Sequence, residues 1–245
     1  DETHFERYLH SREANYAIHR EGLGRFRVSA FWQQDMPGMV LRRIETRIPT
    51  FEELVLPPIL QDVAMAKRGL VLFVGATGAG KSTTQAAMIG YRNQHGDGHI
   101  LTVEDPVEFV HQHGRCLVTQ REVGIDTDSF DVALKNSMRQ APDVILIGEI
   151  RTQETMELAI QFAETGHLCL ATLHANNANQ ALDRILHLVP EAKHRQFLFD
   201  LSFNLRAIVA QQLLPSVNGS RRIAAFEILL NTSLITDIIR KGEMH

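Results

Sequence analysis

Residues Gly75-Ala76-Thr77-Gly78-Ala79-Gly80-Lys81-Ser82 constrain this chain more than any other stretch, because they fill every fixed position of the pattern G-x-x-x-x-G-K-[ST]. The surroundings agree. An apolar run, Leu70 to Val74, precedes the loop, and a helical pattern from Thr83 to Arg92 follows it. Glycines let the backbone turn tightly and aim its N–H groups inward at phosphate. The start of the following helix adds positive partial charge. Gly75, Thr77, Gly78, Ala79, Gly80, Lys81, Ser82 and Thr83 are therefore candidate nucleotide contacts. Lys81 is placed to neutralise the β- and γ-phosphates of ATP, and Ser82 to ligate Mg²⁺.

The rest of the chain alternates in the same sense. Apolar runs predict strands at 70–74, 99–104, 143–148 and 167–173. Periodic stretches predict helices at 81–93, 130–140, 153–164, 178–188 and 191–212, then a strand at 222–230 and a helix at 233–240. Strands separated by helices predict an α/β fold around a parallel sheet. Near-continuous runs such as Val144-Ile145-Leu146-Ile147 fit strands covered on both faces. The first 50 residues differ: a helix over 3–13, a strand after the Gly22-Leu23-Gly24 turn, and another over 39–44. Pro49 and Pro57-Pro58 punctuate the join. The expected division is thus 1–50, a linker at 51–57, and a main domain over 58–245.

Three further clusters carry chemistry. Asp143 to Glu149 is an apolar strand ending in an acid, which the strand would hold rigidly at the ligand edge of the sheet. Glu149 is expected to hold Mg²⁺ through water. Glu104-Asp105-Pro106-Val107-Glu108 ends another core strand with three acids. Glu108 is the candidate general base that orients the attacking water, with Glu104 and Asp105 in metal or structural roles. His167 and His174 bracket the strand 168–173; His174, at its carboxyl end, is the candidate phosphate sensor, and His167 is placed to face a neighbouring subunit. Arg25, Arg27, Arg42 and Arg43 are candidates for a cation supplied to ATP from outside the loop domain.

Composition narrows the partners. With 25 Lys+Arg against 29 Asp+Glu, the net charge of −4 and the lack of a basic stripe argue against a nucleic-acid motor of similar topology. Two cysteines, Cys116 and Cys169, cannot complete a four-ligand zinc site and are expected to be buried, reduced thiols. No leader pattern is read, and no apolar stretch is long enough to span a bilayer. These features lead to the expectation of a cytoplasmic protein. A chain that begins Asp1-Glu2-Thr3 is expected to be part of a protein of roughly 350 residues.

Four signatures together resemble the type IV pilus retraction ATPases of the PilT/PilU family, within the secretion-ATPase superfamily. They are Gly75–Thr83, Glu104–Phe109, Asp143–Arg151, and Ala163–His167 with Leu173-His174. In that family these are the Walker A, Asp, Walker B and His boxes. Gly24–Phe31 resembles the last part of the family's PAS-like N-terminal domain, whose arginines reach the nucleotide. Gln140–Arg151, Leu168–Ala175 and Gln180–Ile185 lean toward the PilU-like branch, while Leu234–His245 only loosely resembles the retraction motif. The missing tetracysteine insertion favours the retraction branch over pilus-assembly and type II secretion ATPases. The resemblance implies a RecA-like P-loop NTPase domain joined to the C-terminal remnant of a PAS-like α+β domain. It also implies a homo-hexamer at the inner-membrane face, acting on the inner-membrane pilus platform protein, with a related retraction ATPase as a further partner. Glu108 carries over as the general base and Glu149 as the Mg²⁺-linked acid. The alternative function is a nucleotide-gated accessory subunit of a more active motor.

Overall fold

The computed structural model describes residues 2–45, 47–219 and 221–243. Met244 and His245, which end the loosely matching C-terminal stretch, lie outside them. The chain opens with helix α1 (Glu2–Ser11) and an antiparallel meander, β1 (Glu13–Arg20), β2 (Gly24–Gln33) and β3 (Met36–Ile44). β1 was not expected from sequence; it pairs residue by residue with β2, Glu13 opposite Phe31 through Arg20 opposite Gly24.

The stretch expected as a linker holds a helical turn, α2 (Phe51–Leu54). Thr50 and Glu53 close it with a reciprocal capping box, so the turn is stabilised locally even beside Pro49. α3 (Ile59–Ala64) follows Pro57-Pro58. Then come β4 (Gly69–Val74), α4 (Lys81–His95), β5 (Gly98–Glu104), β6 (Cys116–Glu122), α5 (Phe130–Ser137), β7 (Val144–Ile147), α6 (Gln153–Glu164), β8 (Leu168–Leu173), α7 (Ala178–Leu188), α8 (His194–Asn204), β9 (Leu205–Pro215), β10 (Arg222–Leu230) and α9 (Ser233–Lys241).

The seven strands from β4 onward form one sheet in the order β10-β9-β4-β8-β7-β5-β6. All neighbours are parallel except β9 and β10, which form an antiparallel hairpin at one edge. Every residue of β4, β7 and β8 is buried, as a parallel sheet with helices on both faces requires. The side chains divide by the two-residue period of a strand. Leu70, Leu72 and Val74 join one core with α5, α6, α7 and α8, while Val71 and Phe73 join the opposite core with α3 and α4.

The helix expected over 191–212 is corrected: α8 ends at Asn204 and β9 begins at Leu205. Ala207 to Ala210 are buried between β4 on one side and β10 on the other, so pairing on both edges outweighs the helical reading of this run. Among the described residues, no helix is long and apolar enough to cross a membrane. Both cysteines are buried and free.

Candidate active site

The strand order decides which side chains meet. β4, β8, β7 and β5 are successive neighbours in the sheet, and they carry the phosphate loop, His174, Glu149 and the Glu104–Glu108 segment at their carboxyl ends. In an open parallel sheet that edge is where ligands bind. The residues line one cleft of about 590 Å³, which takes in Thr77 to Thr83, Glu104, Asp105, Glu108, Glu149, Arg151, His174 and Arg42.

The loop backbone is tight. Gly75 has φ +144° and Gly80 φ +88°, and a Cβ at Gly75 would lie 2.4 Å from the Gln211 carbonyl oxygen of β9. No side chain caps the start of α4, so its first N–H groups are turned toward the cleft without a side-chain acceptor. Lys81 is buried, and its Nζ donates to the carbonyls of Gly75 at 2.7 Å and Ala76 at 2.9 Å. Two of its three donors are thereby used. Burial pulls the Lys81 ammonium below its usual range, and the charges of Glu149 and Glu108 oppose that pull.

Glu149 lies two residues past the end of β7. Its Oε1 is 2.8 Å from His174 Nε2, and its Oε2 is 2.7 Å from Arg151 Nη2. Burial alone would raise this carboxyl; the hydrogen bond from Arg151 and the charges of His174 and Arg151 outweigh it and hold Glu149 below the ordinary carboxylate value. The backbone is fixed from both sides. Gly148 N–H donates to Val103 O at 2.8 Å and Ile150 N–H to Thr172 O at 2.8 Å. A Cβ at Gly148 would lie 3.0 Å from Glu104 Cα, so glycine permits this close crossing of β7 and β5.

The acidic segment is braced by the N-terminal sheet. Arg42 Nη2 donates to Glu108 Oε1 at 3.2 Å. Arg27 stands 3.6 Å from Asp105 and 3.8 Å from Glu122, which is only 1% exposed. Glu122 Oε2 accepts from Val107 N–H at 3.1 Å. Glu45 N–H donates to Glu108 O and Val110 N–H to Glu45 O, both at 3.2 Å, which carries strand-like pairing across the boundary.

Glu104 is half-buried at the end of β5. Burial pushes its carboxyl up to about 7, against hydrogen bonds from Thr102 Oγ1 at 2.6 Å and Gln120 Nε2 at 3.2 Å, with the charges of Glu108 and Glu122 adding to the rise. From the ordinary value near 4.5 to about 7, the folded protein holds a proton here that the unfolded chain has released. This group's contribution to stability is therefore full below the ordinary value and is lost as pH rises toward 7 and above. The urea midpoint is expected to fall between pH 5 and 7.5, and Glu104→Gln is expected to flatten that fall; an unchanged slope in the variant would contradict it.

Of the four candidate arginines, Arg42 alone lines the cleft, and His167 lies where it was expected, away from His174. His167 sits at the opposite end of β8, where its Nδ1 lies 3.0 Å from Phe162 O and 3.1 Å from Thr165 Oγ1. Arg25 lies on β2 opposite Ile44, outside the cleft lining. Arg43 joins Arg27 and Arg42 along a smaller adjoining groove. Conversely, Arg151, Glu122 and two buried side-chain pairs were not singled out. Thr84 Oγ1 donates to Gln211 Oε1 at 2.9 Å, and Gln85 Nε2 to Thr172 Oγ1 at 3.1 Å, tying the phosphate-loop helix to β9 and β8. Arg151 was within reach of sequence reasoning, because it closes the Asp143–Arg151 signature.

This loop, acid and strand order define a P-loop protein of the secretion type. The chain belongs to the type II/IV secretion system protein family, whose model matches residues 23–234. It is 66% identical to the type IV pilus ATPase PilU of Pseudomonas aeruginosa over 97% of its length, and covers 62% of that relative. It is 42% identical to the type IV pilus retractation ATPase PilT of the same organism, over 98% of this chain and 69% of that one. A crystal structure of the pilus retraction motor PilT with bound ADP superposes with a TM-score of 0.95 at 41% identity, covering all of this chain and 71% of that one. The chain thus spans roughly two thirds of the length of the relatives it matches.

Proposed function

We propose that this chain is the catalytic core of a ring-forming, Mg²⁺-dependent ATPase that powers or assists type IV pilus retraction. The observation that carries the reading is the convergence of Thr77 to Thr83 of the phosphate loop, Glu149 and Glu108 on one cleft. The names and ADP content of the relatives support it. The proposed division follows the sheets: residues 1–50 as the end of a PAS-like domain, and 58–245 as the RecA-like motor domain.

The donor set fits Mg²⁺. Among the described residues, no group of three or more His, Cys, Asp or Glu side chains is arranged to hold a metal alone. One hydroxyl, Ser82, and one carboxylate, Glu149, beside a phosphate loop is what Mg²⁺ takes when waters and phosphate oxygens fill its other positions. When bound, the ion would neutralise charge on the β- and γ-phosphates.

The protein's own groups do the positioning. The N–H groups of the loop and of α4 hold the phosphates, and Lys81 offers its third donor to them. Glu108 orients water and takes its proton. His174 senses the phosphate through Glu149. Arg42 holds Glu108 from the N-terminal sheet, so movement of that sheet repositions the base. In this reading the homo-hexamer works in the cytoplasm at the inner-membrane face, against the platform protein and alongside a related retraction ATPase.

The test is ATP turnover by the assembled protein. Hydrolysis is expected to need Mg²⁺, and turnover per chain is expected to fall when the ring is diluted to single chains. Constant turnover on dilution would contradict completion of the site between subunits. ATP binding without turnover would replace the motor by the accessory-subunit reading, and stimulation by DNA would favour a nucleic-acid motor.

A further inference from the structure

We infer that Arg151 is a γ-phosphate-contacting residue of this cleft, held in reserve on Glu149; the inference rests on the nucleotide reading above. Its guanidinium has one hydrogen-bond partner among the described residues, Glu149 Oε2 at 2.7 Å, and the side chain is 63% exposed while Glu149 is 18% exposed. An ion pair that open contributes little to stability, so folding alone gives little reason for an arginine here.

Charge arrangement supplies a reason. Glu149 carries one negative charge and is served by two donors, His174 on Oε1 and Arg151 on Oε2. Loss of Arg151 therefore leaves the carboxylate still partnered by His174. Three other basic side chains, Lys81, Arg42 and Arg222, line the cleft, and Arg222 comes from the edge strand β10. Lys81 is buried and tied to two loop carbonyls, and Arg42 is tied to Glu108 and comes from the other sheet. Arg151 lies four residues past the end of β7, on the large sheet that carries the phosphate loop, so it is available without any movement between the two sheets.

A polyphosphate is a stronger partner than a single carboxylate. It carries more charge, and its oxygens match the planar guanidinium fork in bidentate fashion. The same cleft is lined by Thr77 to Thr83 and by Arg151, so the arginine stays within one cavity as it exchanges partners. Transfer of Arg151 also frees Glu149 Oε2, so phosphate arrival and release of the acid occur in one event.

The experiment compares a non-hydrolysable fluorescent ATP analogue with fluorescent ADP on the assembled protein, for wild type, Arg151→Gln and Arg151→Lys. Arg151→Gln is expected to weaken the triphosphate by about tenfold or more, the size of a charge-assisted hydrogen bond, and the diphosphate by less than about twofold. Its kcat is expected to fall by roughly 10²-fold, with the melting temperature unchanged. Arg151→Lys is expected to recover part of the triphosphate affinity. Equal losses for the two nucleotides, or none for either, would overturn the inference while leaving the nucleotide site standing. A wild type that binds neither nucleotide would overturn the underlying reading and the inference with it.

Discussion

Replacing Glu108 by Gln is expected to lower kcat for ATP hydrolysis by about 10²–10⁴-fold, the usual contribution of a general base, while the affinity for ADP stays within about threefold. The prediction is selective because the amide keeps the local contacts. A Gln oxygen still accepts from Arg42 Nη2, now 3.2 Å from Glu108 Oε1. The backbone bonds between Glu45, Glu108 and Val110 do not involve the side chain. What disappears is the ability to take a proton. Steady-state turnover measured beside ADP binding separates the cases. A parallel loss of both would point to a disturbed cleft, and turnover equal to wild type would remove Glu108 from the chemistry.

Lys81→Ala is expected to act on binding and rate together. The side chain is buried, and its Nζ joins the carbonyls of Gly75 and Ala76 while facing the phosphate site. Its removal takes one positive charge from the floor of the cleft, where few waters can replace it, and leaves two carbonyls without their donor. ATP affinity is expected to fall by roughly 10²-fold, and kcat by roughly 10²–10³-fold, as for removal of a preorganised donor. Lys81→Arg is expected to restore little of either, because a planar fork does not fit where a compact ammonium bridges two adjacent carbonyls. Equilibrium nucleotide binding and single-turnover hydrolysis check the two effects, and full rescue by arginine would contradict the geometry.

The sequence was most legible where one local pattern sufficed. β4, the phosphate loop and α4 follow from an apolar run, three glycines and a helical period, and β7 and β8 follow from short runs apolar on both faces. β6 was missed because Cys116-Leu117-Val118-Thr119-Gln120-Arg121-Glu122 is a sheet edge with Leu117 exposed, so it lacks the signature of a core strand. β9 was misread because Ala207 to Leu214 suits either period, and only its two pairing partners decide between them. The site divides in the same way. Glu108, Glu149 and His174 follow within four residues of the ends of core strands and were found. Glu122, Gln85 and Gln211 matter through what other strands bring to them, which no local window contains. Arg25 was included on the same kind of local argument, and its place on β2 opposite Ile44 puts it outside the cleft lining.

The sheet order also has a consequence for how the chain is made. β4, which carries the phosphate loop, has as its neighbours β8 and β9, and the first of these begins about 95 residues later. At ribosomal speeds of roughly 5–20 residues per second, that is on the order of 5–20 s. During that interval Leu70 to Val74, all buried in the finished sheet, have neither edge partner available. Nascent chains therefore pass through a window in which this apolar strand is open to wrong pairing, and a pause in translation after β4 would lengthen it.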